Sequence, residues 1–111
     1  MYAGEVVESA PTDTLFDAPA HPYTAALMRS TPRLTGDRTI PEPIPGRPSS
    51  LAETTPGCPF APRCTHALSR CDTGYPGPDG RPVRSACIRS SELADELSHR
   101  VHASKEAPRW R

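Results

Sequence analysis

The sequence predicts an α+β fragment: a short β-strand, a pair of short helices, a proline-rich linker, an irregular cysteine-rich loop and a C-terminal helix. Three observations support this. Leu, Val, Ile and Phe make up only 16 of the 111 residues, well below the roughly 20% typical of a globular domain. The chain also contains 15 prolines and 7 glycines, and its four cysteines lie in one segment. Because few large apolar side chains are present, we expect folding to depend on a metal, a partner domain or a longer parent chain.

The N-terminal residues 2–8, "YAGEVVE", alternate weakly and begin with the turn signal Ala3-Gly4. This pattern is typical of the turn and second strand of a β-hairpin. The sequence contains no first strand to pair with it, and a single short strand is not stable in isolation. The pattern therefore predicts that the chain starts in the middle of a fold.

Two short helices are expected next. Thr12 is a favourable N-cap for the first, Leu15 and Phe16 form its predicted buried side, and Pro19 limits it to about two turns. The next helix begins at Pro22, a position at which proline loses no backbone hydrogen bond.

The second helix carries Tyr23, Ala26 and Leu27 on one face and is expected to end before Pro32. The linker that follows has no periodic apolar face and favours polyproline II and turns. Its possible anchors are Ile40 and Ile44.

The C-terminal helix is the clearest element. Ser91 is its predicted N-cap, and Leu93, Leu97 and Val101 form a narrow stripe at four-residue intervals. Such a stripe is sufficient for docking on a neighbour but not for an independent core. The last residues, "KEAPRWR", are expected to be frayed.

The cysteines are spaced as Cys58-x5-Cys64-x6-Cys71-x15-Cys87. Structural zinc sites usually contain ligand pairs two to four residues apart, and none of these gaps is so short. In a four-iron cluster each thiolate binds a different iron, so longer gaps are suitable. If a metal is bound, the spacing modestly favours an iron–sulfur cluster over zinc. The spacing does not decide between a metal site and four free thiols or two disulfides.

Neighbours of the cysteines could also take part. Arg63 and Arg70 each lie beside a cysteine and could offset thiolate charge, and His66 is a possible substitute ligand. A cysteine nucleophile formed by Cys64 and His66 is the weakest interpretation, because proximity in a loop does not establish shared geometry.

Several function classes are disfavoured. The 13 basic and 13 acidic residues balance and form no basic stripe, so nucleic acid is not expected as a partner. No window approaches the about 18 apolar residues of a membrane span, and the N-terminus does not read as a signal peptide. The expected location is cytoplasmic, where thiols stay reduced. The phosphate-loop pattern G-x-x-x-x-G-K-[ST] does not occur, so the chain alone should not hydrolyse ATP.

Three segments in order carry a resemblance: "YAGEVVE", "HPYTAAL" and "GCPFAPRC". Together they resemble the C-terminal region of ATP-binding subunits of oligopeptide/dipeptide ABC importers, from Met1 to about Cys87. The resemblance implies that the four cysteines bind a 4Fe–4S iron–sulfur cluster as ligands, namely Cys58, Cys64, Cys71 and Cys87. It also implies a structural role for the quartet 21–24, in which Pro22 starts the helix and Tyr23 packs.

The same resemblance divides the chain into four parts. Residues 1–33 would be the terminal β-strand of an ABC nucleotide-binding domain and the helix pair, 34–56 the linker, 57–88 the cluster-binding extension, and 89–111 the C-terminal helix and tail. The implied partners are that nucleotide-binding domain, a second ATPase subunit and transmembrane permease subunits, at the inner face of the membrane. ATP and Mg²⁺ would bind only to a full-length parent subunit, and we expect this chain to be a truncated accessory part of it. The alternative is a free-standing zinc-binding adaptor.

Overall fold

The computed structural model describes residues 1–32, 40–50, 56–75 and 84–103. In these ranges the chain forms three α-helices and two 3₁₀ turns: α1 Thr12–Asp17, α2 Pro22–Ser30, the 3₁₀ turns Ala61–Arg63 and Ser69–Asp72, and α3 Ser90–Ala103. The remaining described segments connect these elements without regular structure. None of the described helices is long and apolar enough to cross a membrane.

The N-terminal turn lies where the sequence indicated it. The backbones of Tyr2 and Glu5 exchange two hydrogen bonds of 2.9 and 3.0 Å. The two residues between them, Ala3 and Gly4, have φ values of 48° and 83°. Two central residues with positive φ define a type I′ turn, in which glycine is tolerated without strain and alanine is not favoured.

The predicted strand over residues 2–8 differs from the structure, which contains only isolated β-bridges in the described residues. After the turn, the chain pairs with the segment just before the last cysteine. Ala86 donates to the carbonyl of Val7 at 2.8 Å, and Ser9 donates to that of Arg84 at 3.0 Å. Among the described residues, this pairing consists of one bridge, between Glu8 and Ser85.

Helix α1 departs from its predicted packing. It begins at Thr12, but Pro11 occupies the N-cap position and no side chain caps the helix. Leu15 is half-buried, whereas Phe16 is 53% exposed, so the expectation that Phe16 is buried was wrong. A helix of only six residues can bury only one narrow face against its neighbour, and Phe16 does not lie on that face.

Helices α2 and α3 pack on each other through an aliphatic contact. The predicted stripe of α3, Leu93, Leu97 and Val101, is buried together with Ala25 of α2. Met28 of α2 and Cys87 pack against its edge. The stripe therefore docks on α2, and small alanine side chains allow the two helices to approach closely.

An aromatic cluster joins the N-terminal turn, α2 and the cysteine segment. The ring of Tyr2 lies 4.8 Å from that of Tyr23 and 5.3 Å from that of Phe60, in edge-to-face geometry. Val7 and Ala26 complete this core, and Ile44 of the linker packs against it. Edge-to-face rings contribute beyond their buried area, so a few aromatic residues replace a larger aliphatic core here.

Of the two isoleucines expected to anchor the linker, Ile44 packs and Ile40 is 90% exposed. The predicted linker residues 51–55 and the predicted loop residues 76–83 lie outside the described residues.

Candidate metal centre

All four cysteines line a single cavity in the structure. None of them is in a disulfide: Cys71 is buried, and Cys58, Cys64 and Cys87 are half-buried. About 360 Å³ of space free of protein atoms lies between the lining groups, part of it open to solvent. The fold thus brings together the cysteine set that the sequence singled out.

The cavity walls come from three parts of the chain. Phe60 and Ala61 belong to the loop that carries the first three cysteines, and Leu93 belongs to α3. His21 and Pro22 at the start of α2 complete the wall. Cysteines far apart in the sequence therefore meet because α2 and α3 hold the two ends of the segment together.

Gly57 allows the first and third cysteines to approach each other. A Cβ atom at this position would lie 2.3 Å from backbone atoms of Asp72 and 2.4 Å from the carbonyl oxygen of Cys71. The neighbouring N–H of Cys58 donates to the Cys71 carbonyl at 2.8 Å. The requirement for glycine here is one of close backbone approach, not of positive φ.

Backbone N–H groups point at the sulfur atoms. Leu68 donates to Sγ of Cys71 and Arg89 donates to Sγ of Cys87, both at 3.4 Å. The backbone of His66 hydrogen-bonds to Cys64 in the same way.

Backbone groups of Phe60 and Ala61 lower the pKa of the Cys58 thiol, although the Ala61 N–H donates to the Cys58 carbonyl oxygen at 3.0 Å and not to the sulfur. The N–H donors at Sγ of Cys71 and Cys87 can stabilise a thiolate there.

Burial opposes the thiolate form in the absence of a bound cation. It raises the pKa of the Cys58 and Cys64 thiols, and raises the pKa of Cys87 to about 11. Backbone hydrogen bonds lower these pKa values in part, and the nearby sulfurs raise them further. Such thiols lose their protons when a metal binds, so metal affinity should increase with pH.

His21 is the most deeply buried polar side chain at the cavity, with an exposed fraction of 1%. Its Nδ1 caps α2 by accepting the N–H of Tyr23 at 3.0 Å. Its backbone N–H donates to the Glu8 carboxylate at 2.9 Å, and its ring lies 6.2 Å from that of Phe60. Burial lowers the pKa of His21 to about 4, so its ring is neutral at physiological pH.

The sequence had indicated a structural role for His21, and its capping bond is such a role. Sequence reasoning missed that the same ring reaches the cysteine cavity. The position of a histidine directly before Pro22, where helix N-caps occur, was the available signal.

The charged neighbours are engaged elsewhere. Arg63 donates to the carbonyls of Pro45 and Ile44, at 2.9 and 3.2 Å, and so fastens the linker to the loop. Arg70 pairs with Glu92 of α3. The expectation that both arginines offset thiolate charge is therefore not met by their positions.

The structure gives His66 another partner than a metal. Its Nδ1 lies 3.8 Å from a carboxylate oxygen of Glu96, although the residue lines the cavity.

The donor set consists of four thiols that line one cavity. Within residues 1–32, 40–50, 56–75 and 84–103, no three His, Cys, Asp or Glu side chains are grouped closely enough to bind a single metal ion. In a four-iron cluster each thiolate binds a different corner, which fits sulfurs that surround a cavity. The thiol chemistry and the N–H groups at the sulfurs fit such a cluster.

Comparison with known proteins places this chain in a family. Residues 7–71 match the family described as the oligopeptide/dipeptide transporter, C-terminal region. The chain belongs to this family. The match includes the segment that follows the N-terminal turn, α1, α2 and three of the four cysteines.

Individual relatives extend the similarity over more of the chain. The oligopeptide transport ATP-binding protein OppD of Mycobacterium tuberculosis is 41% identical over 114 aligned residues, which cover 98% of this chain and 18% of that protein. A putative peptide import ATP-binding protein of Brucella melitensis is 43% identical, over 85% of this chain and 30% of its own length. The dipeptide transport ATP-binding protein DppD of Bacillus subtilis is 44% identical, over 69% and 23%.

This member of the oligopeptide/dipeptide transporter C-terminal family thus spans less than a third of the length of these relatives. The aligned part of the Mycobacterium protein corresponds to almost all of the chain, so the similarity covers α3 as well as the matched family region.

Proposed function

We propose that this chain is the C-terminal accessory part of the ATP-binding subunit of a peptide importer, and that it holds a 4Fe–4S iron–sulfur cluster. The ligands are Cys58, Cys64, Cys71 and Cys87. The observation that carries the proposal is that all four thiols line one cavity, with backbone N–H donors at Sγ of Cys71 and Cys87.

The residues of the chain have distinct tasks in this proposal. The four thiols give up their protons when the cluster binds; without it, burial favours the protonated form of Cys58, Cys64 and Cys87. Backbone N–H groups then stabilise the negative sulfurs, and Phe60, Ala61 and Leu93 shield the cavity from water. When bound, such a cluster supplies a cross-link between loop segments and a one-electron redox centre.

The wider assembly follows from the relatives. Their names describe ATP-binding proteins for peptide, oligopeptide and dipeptide transport or import. We propose that the parent subunit acts with a second ATPase subunit and with permease subunits at the inner face of the membrane. ATP and Mg²⁺ belong to the nucleotide-binding domain, because this sequence contains no phosphate loop.

Anaerobic purification of the chain, with iron, sulfide and zinc measured by elemental analysis, tests the cluster. We expect about four irons and four sulfides per chain, a brown absorbance and a paramagnetic signal after reduction by dithionite. Cys71→Ser removes a buried ligand and should abolish this content. Ser69→Ala, an exposed change in the same 3₁₀ turn, is the matched control and should keep it.

One zinc per chain without iron would support an adaptor and contradict the cluster. Metal-free chain that unfolds cooperatively and equally well with Cys71→Ser would contradict any metal role for the cysteines.

A further inference from the structure

The ring of His21 has one nitrogen without a partner. Its Nε2 is buried and makes no hydrogen bond. Buried polar groups are nearly always paired, and an unpaired one destabilises the fold. An orphaned nitrogen on a ring that is 99% buried therefore points to a partner that completes the site.

The hydrogen bond at the other nitrogen fixes the tautomer. Nδ1 accepts the N–H of Tyr23, so it carries no proton. A neutral imidazole has one N–H, which must then be on Nε2. His21 consequently presents a donor, not an acceptor, at its unpaired position.

The ring cannot turn away from this arrangement. The Glu8 carboxylate holds the N–H groups of Ala20 and His21 at 2.7 and 2.9 Å. Ser85 donates to the Ala20 carbonyl at 2.9 Å, and Phe60 packs beside the ring. His21 lines the cysteine cavity, and the ring edge that carries Nε2 lies opposite the Nδ1 edge bound to α2.

We propose that His21 is a positioning residue for the cluster, and that its Nε2–H donates a hydrogen bond to a sulfur atom there. The inference rests on the proposed cluster. The sulfurs are the acceptors of this cavity, because its lining combines four thiols with mainly apolar groups. Hydrogen bonds to the sulfurs raise the reduction potential of such a cluster, because they stabilise its more negative, reduced form.

Two variants separate this hydrogen bond from the helix cap. His21→Asn keeps an oxygen that can cap α2 but has no donor long enough to reach the cavity. His21→Gln keeps a donor of similar reach but weakens the cap. In the anaerobic holo-chain, we expect His21→Asn to retain iron and sulfide. Its preference for the reduced over the oxidised cluster should fall about tenfold, which corresponds to a decrease of ~59 mV in the reduction potential. His21→Gln should recover part of this shift.

Pulsed electron paramagnetic resonance on the reduced chain, labelled with ¹⁵N-histidine, gives a direct readout. We expect a weak nitrogen coupling in the wild type and its loss in His21→Asn. Equal potentials and equal couplings in the two chains would overturn the inference while the cluster itself stands. A coupling of ligand size would also overturn it, because His21 would then bind iron directly.

Two further outcomes keep the test decisive. If His21→Asn loses its iron, His21→Gln decides: loss of part of the wild-type ¹⁵N coupling in that variant supports the inference, and an unchanged coupling overturns it. A wild-type chain without iron and sulfide overturns both the inference and the proposed function.

Discussion

The contact between α2 and α3 and the cysteine loop, which meet at Cys87, are stabilised by different interactions. The contact between α2 and α3 buries aliphatic side chains, with Ala25 and Leu97 completely inaccessible. In the described cysteine loop, residues 56–75, the buried apolar side chains besides Cys71 are Phe60 and Ala61. The loop is shaped instead by backbone hydrogen bonds such as that between Cys58 and Cys71.

This difference indicates that a bound inorganic group would stabilise the cysteine loop more than the helix contact. Apolar burial stabilises the helix contact whether or not the cavity is filled. The loop orders many backbone dihedrals around few buried side chains, so its conformational entropy is poorly offset without a ligand. We therefore expect metal removal to loosen residues 56–75 and to leave the contact between α2 and α3 formed.

The largest expected effect is a loss of stability at the contact between α2 and α3. Leu97→Ala removes a fully buried side chain and should lower the free energy of unfolding by about 4 kcal/mol, because it leaves a cavity between α2 and α3. Urea unfolding followed by circular dichroism measures it. His99→Ala, at an exposed position of the same helix, should change stability by less than about 0.5 kcal/mol. A Leu97→Ala chain of unchanged stability would show that α3 does not contribute to the fold.

Next in size is a change on the loop side. Gly57→Ala places a methyl group against the backbone of Cys71 and Asp72 and should cost about 3 kcal/mol, at the upper end for overpacking. The strain separates the first and third cysteines, so iron content should fall while the helical circular dichroism persists. Thr65→Ala, an exposed change in the same loop, should retain full iron content. Equal iron content in Gly57→Ala and wild type would contradict the close approach.

A smaller effect concerns the ionic link between the two parts. Hydrogen bonds from Arg89 and Arg70 lower the pKa of the Glu92 carboxyl below its usual 4.5. Its stabilising contribution is therefore present above pH 4.5 and is lost as the pH falls through the lowered value. Glu92→Gln should slightly reduce the denaturant midpoint at pH 7, and high salt should remove the difference because the pair is exposed. A difference that persists in 1 M salt would exclude the ion pair as its cause.

The smallest effect is expected on α1. Phe16 is more than half exposed, so Phe16→Ser should change the stability of this chain by no more than about 0.5 kcal/mol. Thermal unfolding of both chains measures the difference. A loss of 2 kcal/mol or more would mean that Phe16 is buried after all.

Local features of the sequence predicted their elements well. Pro22 marks the first residue of α2, and the four-residue spacing of Leu93, Leu97 and Val101 identifies the buried stripe of α3. Prediction failed where the structure of a segment depends on pairing with a distant segment of the chain. The segment after the N-terminal turn reads as a strand, but only one bridge forms, since its partner backbone comes from residues 84–86.

By itself the sequence determined the start of α2 at Pro22, the apolar stripe of α3 and the identity of the four cysteines, because periodicity and side-chain chemistry act over a few residues. It placed the starts of α1 and α3 too late, because the predicted N-caps Thr12 and Ser91 lie inside helices that begin at Thr12 and Ser90. The tertiary structure alone decided that His21 shares a cavity with those cysteines and that the arginines beside them bind the linker and α3 instead. Contacts between residues far apart in the chain depend on the path of the backbone between them. That path is set by burial and hydrogen bonding of the whole fold, and no local pattern encodes it.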